Sequence, residues 1–240
     1  MILFNGERDV LRSQFAILKG AIFDLDGTLL DSDYVWQRVD EIFLGKRGIE
    51  IPADYADAVM PLGFYDVAKY TIERFNLPDA PQSVMAEWIE LARHEYEYNV
   101  ELMSGSREIL EFCKLSGMNS AIATSSTREL FVPTIRRNGI SHYFEKIGVM
   151  GEMERDKSDP DAYAEVADML GLEAADCVVF EDVPEGLRSA KTAGAFVIAY
   201  IGKIDESRRE ETASEFIKFS DICTDNYNEL IGFLSDENSI

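Results

Sequence analysis

The chain has 240 residues, 46% of them hydrophobic, enough to bury a full core in one large domain or in one domain carrying an insertion. Its 45 acidic against 23 basic residues give a formal charge of −22, which repels nucleic-acid backbones and anionic membranes and admits an anionic small molecule only where a cation, a lysine or a helix N-terminus reverses the local field. No apolar run approaches the roughly 20 residues needed to span a bilayer, MILFNGERDVLRSQF is charged where a signal peptide is apolar, and Cys113, Cys177 and Cys223 stand singly, so a cytoplasmic protein with reduced core thiols and no membrane or nucleic-acid partner is expected.

In chain order, residues 1–16 read as an N-terminal extension. ILKGAIFD, residues 17–24, is a short apolar run ending in polar residues, the pattern of a buried strand with an exposed C-terminal end. Three amphipathic segments follow between about 34 and 100: DYVWQRVDEIFLGKRG, FYDVAKYTIERFN and PQSVMAEWIELARHEYEY. In the second, Phe64, Ala68, Ile72 and Phe75 recur at helical spacing, so an all-helical insertion is predicted. Beyond it helices alternate with the strands NSAIATSS (119–126), CVVFED (177–182) and AFVIAY (195–200). The helices close at Gly117, Gly139, Gly171 and Gly194, and two of them open at Pro160 and Pro184, the expected asymmetry of helix termini. Alternation of this kind predicts an α/β fold, a Rossmann-like parallel sheet covered by helices on both faces. The acidic stretch after about 204 reads as a solvated helix or loop. The expected domains are an α/β core of residues 17–31 and 102–240 and a helical domain of residues 32–101.

In an open parallel sheet the chemistry gathers at the carboxyl ends of the strands. There the sequence supplies Asp24 and Asp26, then Thr124 and Ser125, then Glu181 and Asp182, while Lys157 in RDKSDPD precedes a helix. Four distant segments thereby bring acids, hydroxyls and a lysine to one sheet edge. An EF-hand loop begun at Asp24 fails, because glycine is fourth rather than sixth and the twelfth residue is Val35. Neither GxxxxGK[ST] nor GxGxxG occurs.

DLDGT, IATSS, the lysine of KSDPD and the acid pair of VVFEDVPEGLRSAKTAG together resemble the four ordered motifs of the haloacid dehalogenase superfamily. The helical insertion resembles the cap of its beta-phosphoglucomutase-like phosphatase branch, and the resemblance spans about 17–200. It implies that Asp24 is the nucleophile, forming an aspartyl phosphate, and that Asp26 is the general acid and base. It implies Mg²⁺ as cofactor, held by Asp24, the backbone carbonyl of Asp26 and Asp182, with Glu181 ligating directly or through water. Thr124, Ser125 and Lys157 would bind the phosphoryl group. KSDPD departs from the family in Ser158 and Asp159, where small apolar residues are usual; Asp159 makes the surroundings of Lys157 more acidic.

The function so implied is a Mg²⁺-dependent phosphatase acting on a small phosphorylated metabolite, sugar- or polyol-phosphate-like, with the chain a monomer or weak homo-oligomer. A beta-phosphoglucomutase-type mutase is one alternative, a non-enzymatic metabolite-binding protein another. Against the mutase, Trp36 stands where those enzymes have a histidine, and the segment MPLGFYDVAKY offers Lys69 but no arginine for a second phosphate. Intact Asp24, Asp26, Lys157 and Asp182 argue against a pure binder. His94 and His142 have no partner at metal spacing and read as structural or exposed. Asp31 and Asp33 read as hinge or solvated residues, and Trp36, Phe64 and Tyr65 as aromatics facing a cleft.

Overall fold

The computed structural model describes residues 1–60 and 62–235. The chain divides into two compact units, Met1–Asp31 with Glu101–Ile240, and Ser32–Val100.

The larger unit is built on a seven-stranded sheet. In chain order its elements are β1 (Ile2–Phe4), α1 (Arg8–Ala16) and β2 (Gly20–Phe23), then, after the helical unit, α6 (Ser106–Leu115), β3 (Asn119–Thr124), α7 (Arg128–Arg137), β4 (Phe144–Val149), α8 (Pro160–Met169), β5 (Cys177–Glu181), α9 (Pro184–Thr192), β6 (Phe196–Tyr200), α10 (Arg209–Phe216), β7 (Ile222–Thr224) and α11 (Tyr227–Ser235). The strand order is β1-β7-β6-β5-β2-β3-β4, parallel throughout except for β1, which runs antiparallel to β7. The predicted α/β class is therefore the one observed. β2 and β5 are buried along their whole length because helices cover both sheet faces, which is why they read as unbroken apolar runs. Gly117, Gly139, Gly171 and Gly194 all end their helices at positive φ, and Pro160 and Pro184 open theirs.

Three expectations change. Residues 1–16 are no appendage: β1 pairs with β7, and α1 buries Leu11 and Phe15. β4 joins the sheet beside β3, and the region after 204, read as solvated, contributes α10, β7 and α11, with Phe216, Leu230 and Phe233 buried. These strands escape sequence reading because they are three to six residues long and sit at or near an edge, where little apolar pattern is needed.

The smaller unit contains α2 (Val35–Gly45), α3 (Tyr55–Val59), α4 (Phe64–Phe75) and α5 (Pro81–Tyr98), with α3 unforeseen. Its core collects Val39, Phe43, Tyr55, Ala68, Val84 and Trp88. Trp88 meets Phe43 edge-on at 5.5 Å and Phe64 at 5.7 Å, so the aromatic stripe mostly packs on itself. Trp36, Phe64 and Tyr65 are nonetheless exposed. Among the described residues no helix is long and apolar enough to cross a membrane. The three cysteines are buried free thiols.

Phe15 checks the revised role of the N-terminal segment. It stacks on Phe112 at 6.1 Å and meets Phe196 edge-on at 6.0 Å. Phe15→Ala is expected to cost about 3–5 kcal/mol in urea denaturation, the range of a buried aromatic truncated in a core; a solvated extension would cost almost nothing.

Candidate active site

The site begins with the end of β2. Phe23 lies opposite Phe180 of β5, their rings stacked at 4.5 Å and 7°, and the Asp24 amide donates to the Phe180 carbonyl at 3.0 Å. That register puts Asp24 level with the acid pair Glu181 and Asp182. The chain then turns: the Leu25 carbonyl accepts from the amides of Thr28, Leu29 and Leu30, and Gly27 takes φ 80°, a conformation that favours glycine. Asp26, half-buried, rides on this turn.

Glu181 is fully buried, and both of its oxygens are engaged. Oε1 accepts from Lys157 Nζ at 2.5 Å and from the Tyr163 hydroxyl at 2.9 Å; Oε2 accepts from the amides of Asp182 at 2.7 Å and Val183 at 2.9 Å. The same Lys157 ammonium donates to Asp24 Oδ1 at 2.5 Å. Lys157 thus bridges the ends of β2 and β5 with its side chain only 14% exposed. Gly186 in the first turn of α9 makes room for this arrangement, since a Cβ there would come within 2.5 Å of the Glu181 carboxyl carbon and 2.7 Å of the Tyr163 hydroxyl.

Asp182 carries the remaining contacts. The Thr28 hydroxyl donates to its Oδ1 at 2.9 Å, and Lys203 forms an ion pair with its Oδ2. Thr28 is itself fixed by the Tyr227 hydroxyl, which donates to its carbonyl at 3.2 Å. Burial pushes the Asp24 carboxyl well above the usual range; Lys157 pulls it down, and Glu181, Asp182 and Asp26 push it up again. Burial also raises Asp182, against the pull of Lys203 and Lys157. For Lys157 burial favours the neutral amine, yet the facing charges of Asp24, Glu181 and Asp182 overcome it and keep the ammonium protonated.

Asp24, Lys157, Glu181 and Asp182 are therefore brought into one contact network. Thr124 is buried at the end of β3, the other neighbour of β2, where its hydroxyl accepts from the Ser126 amide at 3.0 Å; Ser125 is exposed beside it. Both share the sheet edge of Asp24. Asp159, which made the surroundings of Lys157 look too acidic, instead caps α8 by accepting from the Asp161 amide at 3.0 Å and pairs with Arg155 at 2.9 Å. His94, His142, Asp31 and Asp33 are exposed. Sequence reading missed Thr28, Tyr163 and Lys203. Thr28 lay inside the quoted DLDGT motif, but Tyr163 and Lys203 belong to no motif and meet the acids only through the fold.

The donor set suits a hard divalent cation. Carboxylate oxygens of Asp24, Glu181 and Asp182 lie within 4.8 Å of one another; Asp24 Oδ2 is buried with no hydrogen-bond partner, and Asp182 Oδ2 has none beyond its ion pair with Lys203. An orphaned carboxylate oxygen in such a place fits a metal ligand. Because Glu181 is saturated by four donors, Asp24 and Asp182 are the better placed side chains.

Within the helical unit a separate cleft of about 900 Å³ is lined, among the described residues, by Asp33, Asp40, Glu41 and Glu50 together with apolar residues including Trp36 and Met60, and by no lysine or arginine. Burial pushes the Asp40 carboxyl up to about 6, against a hydrogen bond from Tyr55.

The haloacid dehalogenase-like hydrolase family model matches residues 21–200. Hexitol phosphatase A of Escherichia coli is 29% identical over 196 residues, covering 80% of this chain and 88% of that protein. The phosphorylated carbohydrates phosphatase of Thermotoga maritima is 25% identical over 177 residues, 74% of this chain and 82% of that one. Among solved structures, the beta-phosphoglucomutase of Clostridium difficile superposes with a TM-score of 0.63 at 18% identity, covering 89% of this chain and 93% of that one, a likeness of fold.

Glu181→Gln tests the network. An amide can accept on one side only, so its NH₂ must face either Lys157 and Tyr163 or the two backbone amides. Thermal and urea denaturation are expected to show a loss of about 3–5 kcal/mol, the range for removing one partner of a buried ion pair.

Proposed function

The chain belongs to the haloacid dehalogenase-like hydrolase family, and on that premise we propose that it is a Mg²⁺-dependent phosphatase of a small sugar- or polyol-phosphate-like metabolite. The observation that carries this is the buried Asp24 carboxylate, with one oxygen held by Lys157 and the other without a hydrogen-bond partner, beside Asp182. The relatives named as phosphatases of hexitols and of phosphorylated carbohydrates support hydrolysis of a phosphoric monoester.

Asp24 attacks phosphorus, forming a carboxyl-oxygen-to-phosphorus bond as the ester bond breaks. Asp26, two residues along on the turn, protonates the departing alkoxide and afterwards takes a proton from the water that cleaves the aspartyl phosphate. Lys157, fixed between Asp24 and Glu181, offsets charge on the phosphoryl oxygens, and Thr124 and the Ser125 amide donate to them. Glu181 acts by holding Lys157. Asp24, Asp182 and the backbone carbonyl of Asp26 would hold Mg²⁺, which when bound neutralises the repulsion between carboxylate and phosphate.

Water is the acceptor in this scheme. A mutase must also bind a second phosphate. Among the described residues, the cleft within the helical unit is lined by four carboxylates and no lysine or arginine, a lining that does not favour an anion. Trp36, where the mutases have a histidine, agrees.

A screen of sugar phosphates, polyol phosphates and nucleotides is expected to give phosphate release from one or more sugar or polyol monophosphates with Mg²⁺ and none after EDTA. Metal-independent turnover, or no release from any of them, would refute the proposal. Asp24→Asn should lower kcat by several powers of ten while the protein stays folded. Asp26→Ala should retain Mg²⁺ binding by calorimetry and lose kcat by about 10²- to 10⁴-fold.

A further inference from the structure

Asp182 differs from its neighbours in what neutralises it. Lys157 is locked between two acids, Asp24 and Glu181. Asp182, its side chain 1% exposed, takes a hydroxyl from Thr28 on one oxygen and the Lys203 ammonium on the other. Lys203 reaches it from the loop just past β6, with its side chain 19% exposed.

The loop is shaped for this approach. Gly202 is the residue before Lys203, and a Cβ there would run into the Tyr200 ring, with its Cε1 at 2.9 Å. Tyr200 in turn stacks on Tyr227 at 4.3 Å and 8°, and Tyr227 holds the Thr28 carbonyl. One tyrosine pair therefore locates both groups that contact Asp182.

On the reading that Asp182 is a ligand of a divalent cation, a cation bound through Oδ2 and the Lys203 ammonium would compete for that oxygen, since both are positive and the site is dry. We propose that Lys203 is a positioning residue, a resident cation that holds the Asp182 carboxylate in place in the metal-free protein and is displaced from it when metal binds. The buried acid is never left unpaired, and the apparent metal affinity is reduced by the fraction of time Lys203 occupies Asp182.

The test uses the full chain stripped with chelator, with Mg²⁺ as the probe and no phosphate present. If Lys203 occupies Asp182 about nine-tenths of the time, Lys203→Met should bind Mg²⁺ about tenfold more tightly than wild type in calorimetry at fixed ionic strength. Lys203→Arg, which keeps the charge, should stay near wild type. In EDTA, Lys203→Met should melt below wild type because Asp182 is left buried and unpaired, and saturating Mg²⁺ should close that gap, so its metal-induced rise in Tm is the larger. A structural lysine would lower Tm equally with and without Mg²⁺. Equal or weaker Mg²⁺ binding by Lys203→Met overturns the proposal and leaves the metal reading intact; no Mg²⁺ binding by any of the proteins overturns both.

Discussion

The structure turns on holding carboxylates at the buried ends of two adjacent strands. Taking one such charge out of water costs several kcal/mol unless it is paired and hydrogen-bonded. Asp24, Glu181 and Asp182 are all buried, and each is matched by a specific partner: Lys157 across the first two, backbone amides and Tyr163 on Glu181, and Thr28 and Lys203 on Asp182. Much else follows from these pairings. Gly186 leaves room for Glu181, which passes close by, and the buried Tyr227 holds the Thr28 carbonyl.

The position of the acids is a property of the sheet. β2 lies between β3, which the chain reaches next, and β5, which it reaches only after two further strands. At such a switch point the loops beyond the strands diverge and leave a crevice. The register of β2 against β5, fixed by stacked Phe23 and Phe180, sets Asp24 beside the acid pair to within hydrogen-bonding reach of a single lysine. The chemistry of the site thus rests on rigid, fully covered strands, while its closing turn is left to Gly27 and the residues after it.

The net charge gains meaning from the same point. A surface with an excess of acids has few places where a phosphate is welcome, and the two lysines drawn into the site are among the few that oppose that field locally. The helical unit carries the acidic bias into its own cleft, lined by Asp33, Asp40, Glu41 and Glu50.

The sequence by itself made the α/β class and the helical insertion legible and singled out Asp24, Asp26, Thr124, Ser125, Lys157, Glu181 and Asp182 as candidates, of which the structure joins Asp24, Lys157, Glu181 and Asp182 in one network. It could do so because buried parallel strands must be continuously apolar, helix ends must carry glycine or proline, and reactive groups must follow strand ends. It did not reveal β1, β4 or β7, whose few residues at or near the sheet edge carry charges or too short a pattern to stand out from loops. Nor did it reveal Tyr163 or Lys203, or that Glu181 spends both oxygens on the protein while Asp24 keeps one bare. Those facts depend on which side chains from distant segments meet, and on how each carboxylate oxygen divides its donors. Only the packed tertiary structure decides that, because hydrogen-bond partners are chosen by distance in space and not by spacing along the chain.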